Sequence, residues 1–256
     1  INADGAATTV AFAGNTFAAT LNFGGDGTVT TSDNNLTAAV TTSIINTGTL
    51  TSGTRTITGQ IGTAALPIKT INGTTAKTTT LANDAYAQTL NVVGTGTILQ
   101  QGNFTGAVAF ANAAGTLKVS DGKNINAAIT TAGAPTGTLS LLGTTTVSGA
   151  VGTNANRLNI LNAGITGATD TFSGDIFAAA TNVGSDGSTT TGTGAVALNG
   201  NLTGPALNYG GDAFVTVAAA KTLTAAITNT TTNQGTLTLD SASAVVGAVG
   251  STGVGL

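Results

Sequence analysis

The chain has 256 residues, 41% of them hydrophobic, with 7% charged side chains and a formal net charge of −3. That is enough apolar material for a core and too little charge for a disordered solvating segment. The seven basic residues (Arg55, Lys69, Lys77, Lys118, Lys123, Arg157 and Lys221) are scattered and make no patch for a nucleic-acid backbone.

Methionine and glutamate are absent and lysine and arginine are scarce, so most strong helix formers are missing. Threonine is about a fifth of the chain and favours strands, while 37 glycines with many Asn and Asp favour corners. In chain order the first aliphatic anchors are Val10, Val29, Leu50 and Ile68, at steps of 19, 21 and 18. From Ile98, steps of 19, 22 and 19 lead to Leu117, Leu139 and Leu158, and the same steps lead from Val196 to Val215, Leu237 and Leu256. The residue two places after an anchor is often apolar too, as at Phe12, Val119, Leu141, Ile160, Leu198, Val217 and Leu239. Alternation of this kind marks a strand with one buried face. Roughly eight residues after the anchor come aliphatic pairs four apart. They are Leu36/Val40, Ile57/Ile61, Ile125/Ile129, Val147/Val151, Leu223/Ile227 and Val245/Val249. Their filling alternates between "TAA" or "NAA" and "xGx".

One architecture meets these constraints. Residues 1–256 are expected to form a single all-β domain, a parallel β-solenoid of about a dozen rungs of roughly 19–22 residues. Aliphatic anchors would stack inward, with turns about 4.8 Å apart. Leu117, Leu139, Leu158, Val196, Val215 and Leu237 are expected in one buried ladder. The phrases "GTLSLLGTTTVSGAVG" from Gly137 and "GTLTLDSASAVVGAVG" from Gly235 are expected to be equivalent rungs. A β-sandwich with a strand every eight to twelve residues or so would not reproduce this step pattern. Three residues depart from it, since Thr31, Ser52 and Gln100 stand where the core expects an apolar side chain. The stretches "NGTTAKTTTLANDAYAQ" (72–88) and "TNVGSDGSTTTGTG" (181–194) read as an irregular rung and a polar excursion.

Without His, Cys or Glu, acid–base and metal chemistry is left to Asp, Lys, Tyr, Ser and Thr. Imidazole and thiolate metal sites are excluded. The ten aspartates (Asp4, Asp26, Asp33, Asp84, Asp121, Asp170, Asp175, Asp186, Asp212 and Asp240) are spread out, largely beside Gly. They are expected singly at exposed corners, Asp170 and Asp175 included. No tandem calcium repeat follows from "GGDG", "GSDG" or "GGDA". The expectation is therefore a non-enzymatic protein with no catalytic, cofactor-binding or metal site, and no cofactor. Stacked Thr-x-Thr faces could bind ice. However, the slots between apolar positions run Ala11, Lys118, Ser140, Asn159, Ala197, Thr216 and Thr238, which would interrupt such an array.

Rungs of the form "GTLTLDSASAVVGAVG", "GTLSLLGTTTVSGAVG" and "NINAAITT" followed by "GTL" resemble the passenger regions of large Gram-negative autotransporters. They are especially similar to rickettsial outer-membrane surface cell antigens of the OmpA/OmpB type. The resemblance implies secretion through an outer-membrane barrel and a long β-helical passenger serving as an adhesin or surface layer. It carries no catalytic residues. The expected location is thus the cell surface or extracellular space. The expected partners are neighbouring copies or further rungs stacked end to end, and a host or surface receptor; neither nucleic acid nor membrane insertion by this segment is expected. Because Ile1 is not Met, the chain is expected to be a mature product or an excised piece of a longer repetitive protein. A ligand-binding solenoid, for ice or glycans, is the alternative.

Overall fold

The computed structural model describes residues 1–5, 8–111, 114–133, 135–188, 192–250 and 255–256. Among the described residues there are 25 strands and no helix, and the strands pair in parallel. The fold is an all-β parallel β-solenoid of about eleven turns. Its residues fall into two compact units, Ile1–Leu117 and Lys118–Leu256.

In the first unit the strand registers trace three columns of inward residues. One runs Val10, Val29, Leu50, Ile71, Leu90 and Val108. A second runs Thr16, Leu36, Ile57, Leu81 and Gln100. The third runs Leu21, Val40, Ile61, Ala85 and Phe104. Each turn therefore has three sides, and almost every column member is fully buried. Burial of this aliphatic surface is the main term holding turn on turn.

The register corrects two expectations here. The residue above Leu50 is Ile71, while Ile68 pairs with Thr47. Measured from Ile71 the next step, to Leu90, is an ordinary 19. Residues 72–88 then make a regular turn, with strands Thr78–Leu81 and Ala85–Val92. The three polar departures are buried as placed, and their groups are partly paired. Thr31 Oγ1 donates to Ser52 Oγ at 3.1 Å, and Gln100 Nε2 donates to the Gly102 carbonyl at 3.0 Å. These bonds offset the cost of taking the polar groups out of water.

The second unit repeats the plan. One column is Ile125, Val147, Phe172, Leu198, Val217 and Leu239. The next is Ile129, Val151, Ile176, Leu202, Leu223 and Val245. The third is Leu139, Leu161, Thr181, Leu207, Ile227 and Val249.

The single ladder expected of the anchors does not form. Leu139 stacks on Leu161, whereas Leu158 pairs with Thr136 and Ala178. Val196, Val215 and Leu237 do stack on one another, but on another side, above Asp170. Leu117 belongs to the first unit, where it is buried.

The two long phrases are likewise not equivalent rungs. From Leu139 the third column climbs through Leu161, Thr181 and Leu207 to Ile227, and Leu237 lies one side further on. One phrase puts its second anchor, Val147, on the first side; the other puts Val245 on the second side. Nearly the same residues serve because each side is the same environment, a short strand with an inward aliphatic and a corner on either flank.

The alternating fillings are explained at the corners. In each aliphatic pair the two members lie on adjacent sides, so the three residues between them turn the corner. Where a "GA" or "GQ" filling occurs, the turn below carries "AA", and the glycine sits against the first alanine's carbonyl. A Cβ on Gly59, Gly149 or Gly247 would overlap the backbone of Ala38, Ala127 or Ala225 respectively. Residues 184–188 and 192–194 belong to the expected excursion, and the step from Phe172 to Leu198 is 26 residues. Thr181–Val183 belong instead to the strand Ile176–Val183, and 189–191 lie outside the described residues.

Candidate functional site

Most aspartates are corner clamps. Asp84 Oδ1 accepts the Asn103 backbone N–H at 2.7 Å, and Asp175 Oδ1 that of Asn201 at 2.8 Å. Asp121 Oδ1 accepts the Thr144 N–H at 2.8 Å and Asp212 Oδ1 the Gly235 N–H at 3.1 Å. In every case the donor belongs to the following turn, so a carboxylate satisfies a corner amide that strand pairing leaves open. Asp26 is held below the usual carboxylate range chiefly by its hydrogen bond from Lys69. Asp33 is lowered first by the Thr54 N–H and then by Lys77, whose Nζ is 2.9 Å away.

Asp170 breaks the pattern. It lies in the strand Thr169–Phe172 at an inward position, with Val196 above it, and has no exposed surface. Its Oδ1 accepts the Thr145 N–H at 3.0 Å and its Oδ2 the Gly164 N–H at 2.7 Å. Burial pushes its carboxyl up to about 7, against the lowering effect of those two bonds, and the negative charge of Asp121 adds to the rise. The expectation of an exposed corner residue is therefore overturned for Asp170. Its neighbour in sequence, Asp175, is the corner residue. Among the described residues no three Asp side chains gather where they could hold a metal ion.

The outer faces carry polar columns. On one side of the first unit Thr9, Thr28, Thr49, Thr70 and Thr89 stack in continuous register. Beside them run Thr30, Thr51, Asn72 and Asn91. Lys118 and Asn159, from which an interruption was expected, lie in the second unit, while Ala11 of the same slot heads the second column beside Thr30.

A shallow groove of about 380 Å³ opens on a second side of the first unit. It is lined by Asn15, Asn35, Arg55, Thr56, Thr78 and Thr80, with Thr54 at its edge. The asparagines are fixed by the stack: Asn15 Oδ1 accepts the Asn35 N–H at 2.9 Å, and Asn35 Oδ1 accepts the Thr56 N–H at 3.1 Å. Their Nδ2 groups, the Arg55 guanidinium and the Thr56, Thr78 and Thr80 hydroxyls make no hydrogen bond within the protein among the described residues. Asp33, the nearest acid, is already occupied by the Thr54 N–H and Lys77. The groove thus presents one cation and a set of free donors, with no aromatic ring. Sequence reading gave no hint of it, because its residues are spread from Asn15 to Thr80 and meet only through the turn register.

No family model, no curated protein and no solved structure matches the chain. Among the described residues no helix is long and apolar enough to cross a membrane.

Proposed function

We propose that the chain is a non-enzymatic structural or adhesive solenoid of a cell-surface protein, of the autotransporter-passenger kind that its rungs resemble. The observation that carries this reading is where the corner polar groups go. Asp84, Asp121, Asp175 and Asp212 each accept a backbone N–H of the following turn, so most of the corner polar chemistry is spent on joining turns, as a long surface rod requires. Antibodies raised against the purified chain should label intact cells that produce it. Labelling only after the cells are permeabilised would overturn the reading.

A second reading is favoured by the threonine columns. Threonine hydroxyl and methyl groups repeat about 4.8 Å along the column from Thr9 to Thr89 and, at Thr28/Thr30 and Thr49/Thr51, about 6.6 Å along the strand, a regular array able to order water as an ice surface does. Ice-recrystallisation assays should show inhibition by the protein and its loss in Thr49→Lys. Crystals that coarsen as they do in buffer would dispose of it.

A further inference from the structure

We propose that the Arg55 groove is a binding site for a carboxylated saccharide, with the ligand carboxylate on the guanidinium and its hydroxyls on the surrounding amides and threonines. Three features select that chemistry. The planar fork of an arginine matches a carboxylate with two parallel hydrogen bonds, and Arg55 forms no salt bridge among the described residues, although its charge helps to lower the Asp33 carboxyl. The two asparagine amides are held in place through their oxygens, which leaves their Nδ2 groups, on residues that line the groove, with no hydrogen bond among the described residues. The Thr56, Thr78 and Thr80 hydroxyls can each donate and accept, as sugar hydroxyls do. The groove volume of about 380 Å³ lies within the roughly 300–1,000 Å³ of small-ligand sites.

The same features disfavour other ligands. A nucleic acid would need several cations and aromatic platforms, and the groove offers one arginine and no ring. An apolar ligand would leave the free donors unpaired. Charge complementarity is local: Lys77 and Arg55 together outweigh Asp33, the carboxylate both act on, which leaves the groove a net positive charge. Arg55 reaches this position because it begins the short strand Arg55–Ile57 at an exposed corner, while Thr79, its partner on the next turn, is buried.

The test is calorimetric titration of the full chain with oligogalacturonate and with its carboxyl-reduced, neutral counterpart. The expected result is saturable one-site binding of the acidic form that weakens with added salt, and binding of the reduced form weaker by about tenfold or more. Arg55→Gln should lose a similar factor without altering the circular dichroism spectrum, because Arg55 is exposed and its side chain makes no hydrogen bond among the described residues. Arg55→Lys should fall between the two, since it keeps the charge and loses the fork. Absence of binding by the folded wild type would overturn the assignment. So would equal affinity for the neutral form, or full affinity in Arg55→Gln.

Discussion

Gly149→Ala is expected to destabilise the second unit by about 3 kcal/mol, near the upper end of overpacking substitutions. The reason is contact rather than conformational freedom. The amide of Gly149 donates to the Ala127 carbonyl at 3.1 Å, and an added Cβ would lie inside that carbonyl group and against the Ala128 amide. Backbone atoms cannot rotate aside as a flexible side chain could, so the corner would have to lift from the turn below. Its pairs on either side, Ile125 with Val147 and Ile129 with Val151, would be pulled out of register with it. Ala150→Ser, one residue on and exposed, serves as the control and should cost almost nothing. Urea midpoints of the three proteins measure the difference. Hydrogen exchange should place the loss in the turns around residue 149, because stability in a solenoid is carried by nearest-neighbour interfaces. A Gly149→Ala midpoint equal to that of the wild type would show that the corner has room.

Those corners also show what the sequence could and could not reveal. The aliphatic pairs, their spacing and the alternation of glycine with alanine are all visible in one dimension, because each is a local demand of a strand or a bend. Turn register is not. The phrase beginning at Gly137 and the phrase beginning at Gly235 satisfy the same local demand on different sides of the coil, so matching them yields the architecture while misplacing Leu139 relative to Leu237. Leu158 and Ile68 mislead for the same reason, since inward residues occur at corners as well as at strand centres. The groove is further out of reach, because Asn35, Arg55 and Thr80 become neighbours only once the turn lengths are known. Asp170 is illegible for another reason. An aspartate in "GATDTFSGD" reads as a turn residue, whereas the structure places it at an inward position of the strand Thr169–Phe172, paired with Val196 and accepting the Gly164 N–H.

That buried carboxyl leads to the second large effect, a loss of stability in the second unit as pH rises toward neutrality. The Asp170 carboxyl is raised from 3.8 to about 7 in the folded protein, so between those values the folded state holds a proton that the unfolded state has released. Unfolding free energy must then fall with rising pH across that window and level off above about pH 7. At about 1.4 kcal/mol per pH unit, the full window amounts to about 4 kcal/mol. Burial is the dominant cause, and no cation among the described residues compensates it. The chain contains no histidine or cysteine to mask the effect near neutrality. Asp26 and Asp33 belong to the first unit and are lowered, so what they contribute is present above the usual carboxylate range and is lost only in stronger acid. Asp170→Asn should flatten the profile between pH 4 and pH 8. It should do so at a cost near pH 4, because asparagine accepts through its one oxygen only and its NH2 donor would face whichever of the Thr145 and Gly164 N–H groups that oxygen does not meet. Urea unfolding of both proteins across that range, followed by circular dichroism, distinguishes the outcomes. Equal slopes in the two proteins, or wild-type stability that rises with pH, would show that the carboxylate is accommodated in its charged form by the two backbone donors.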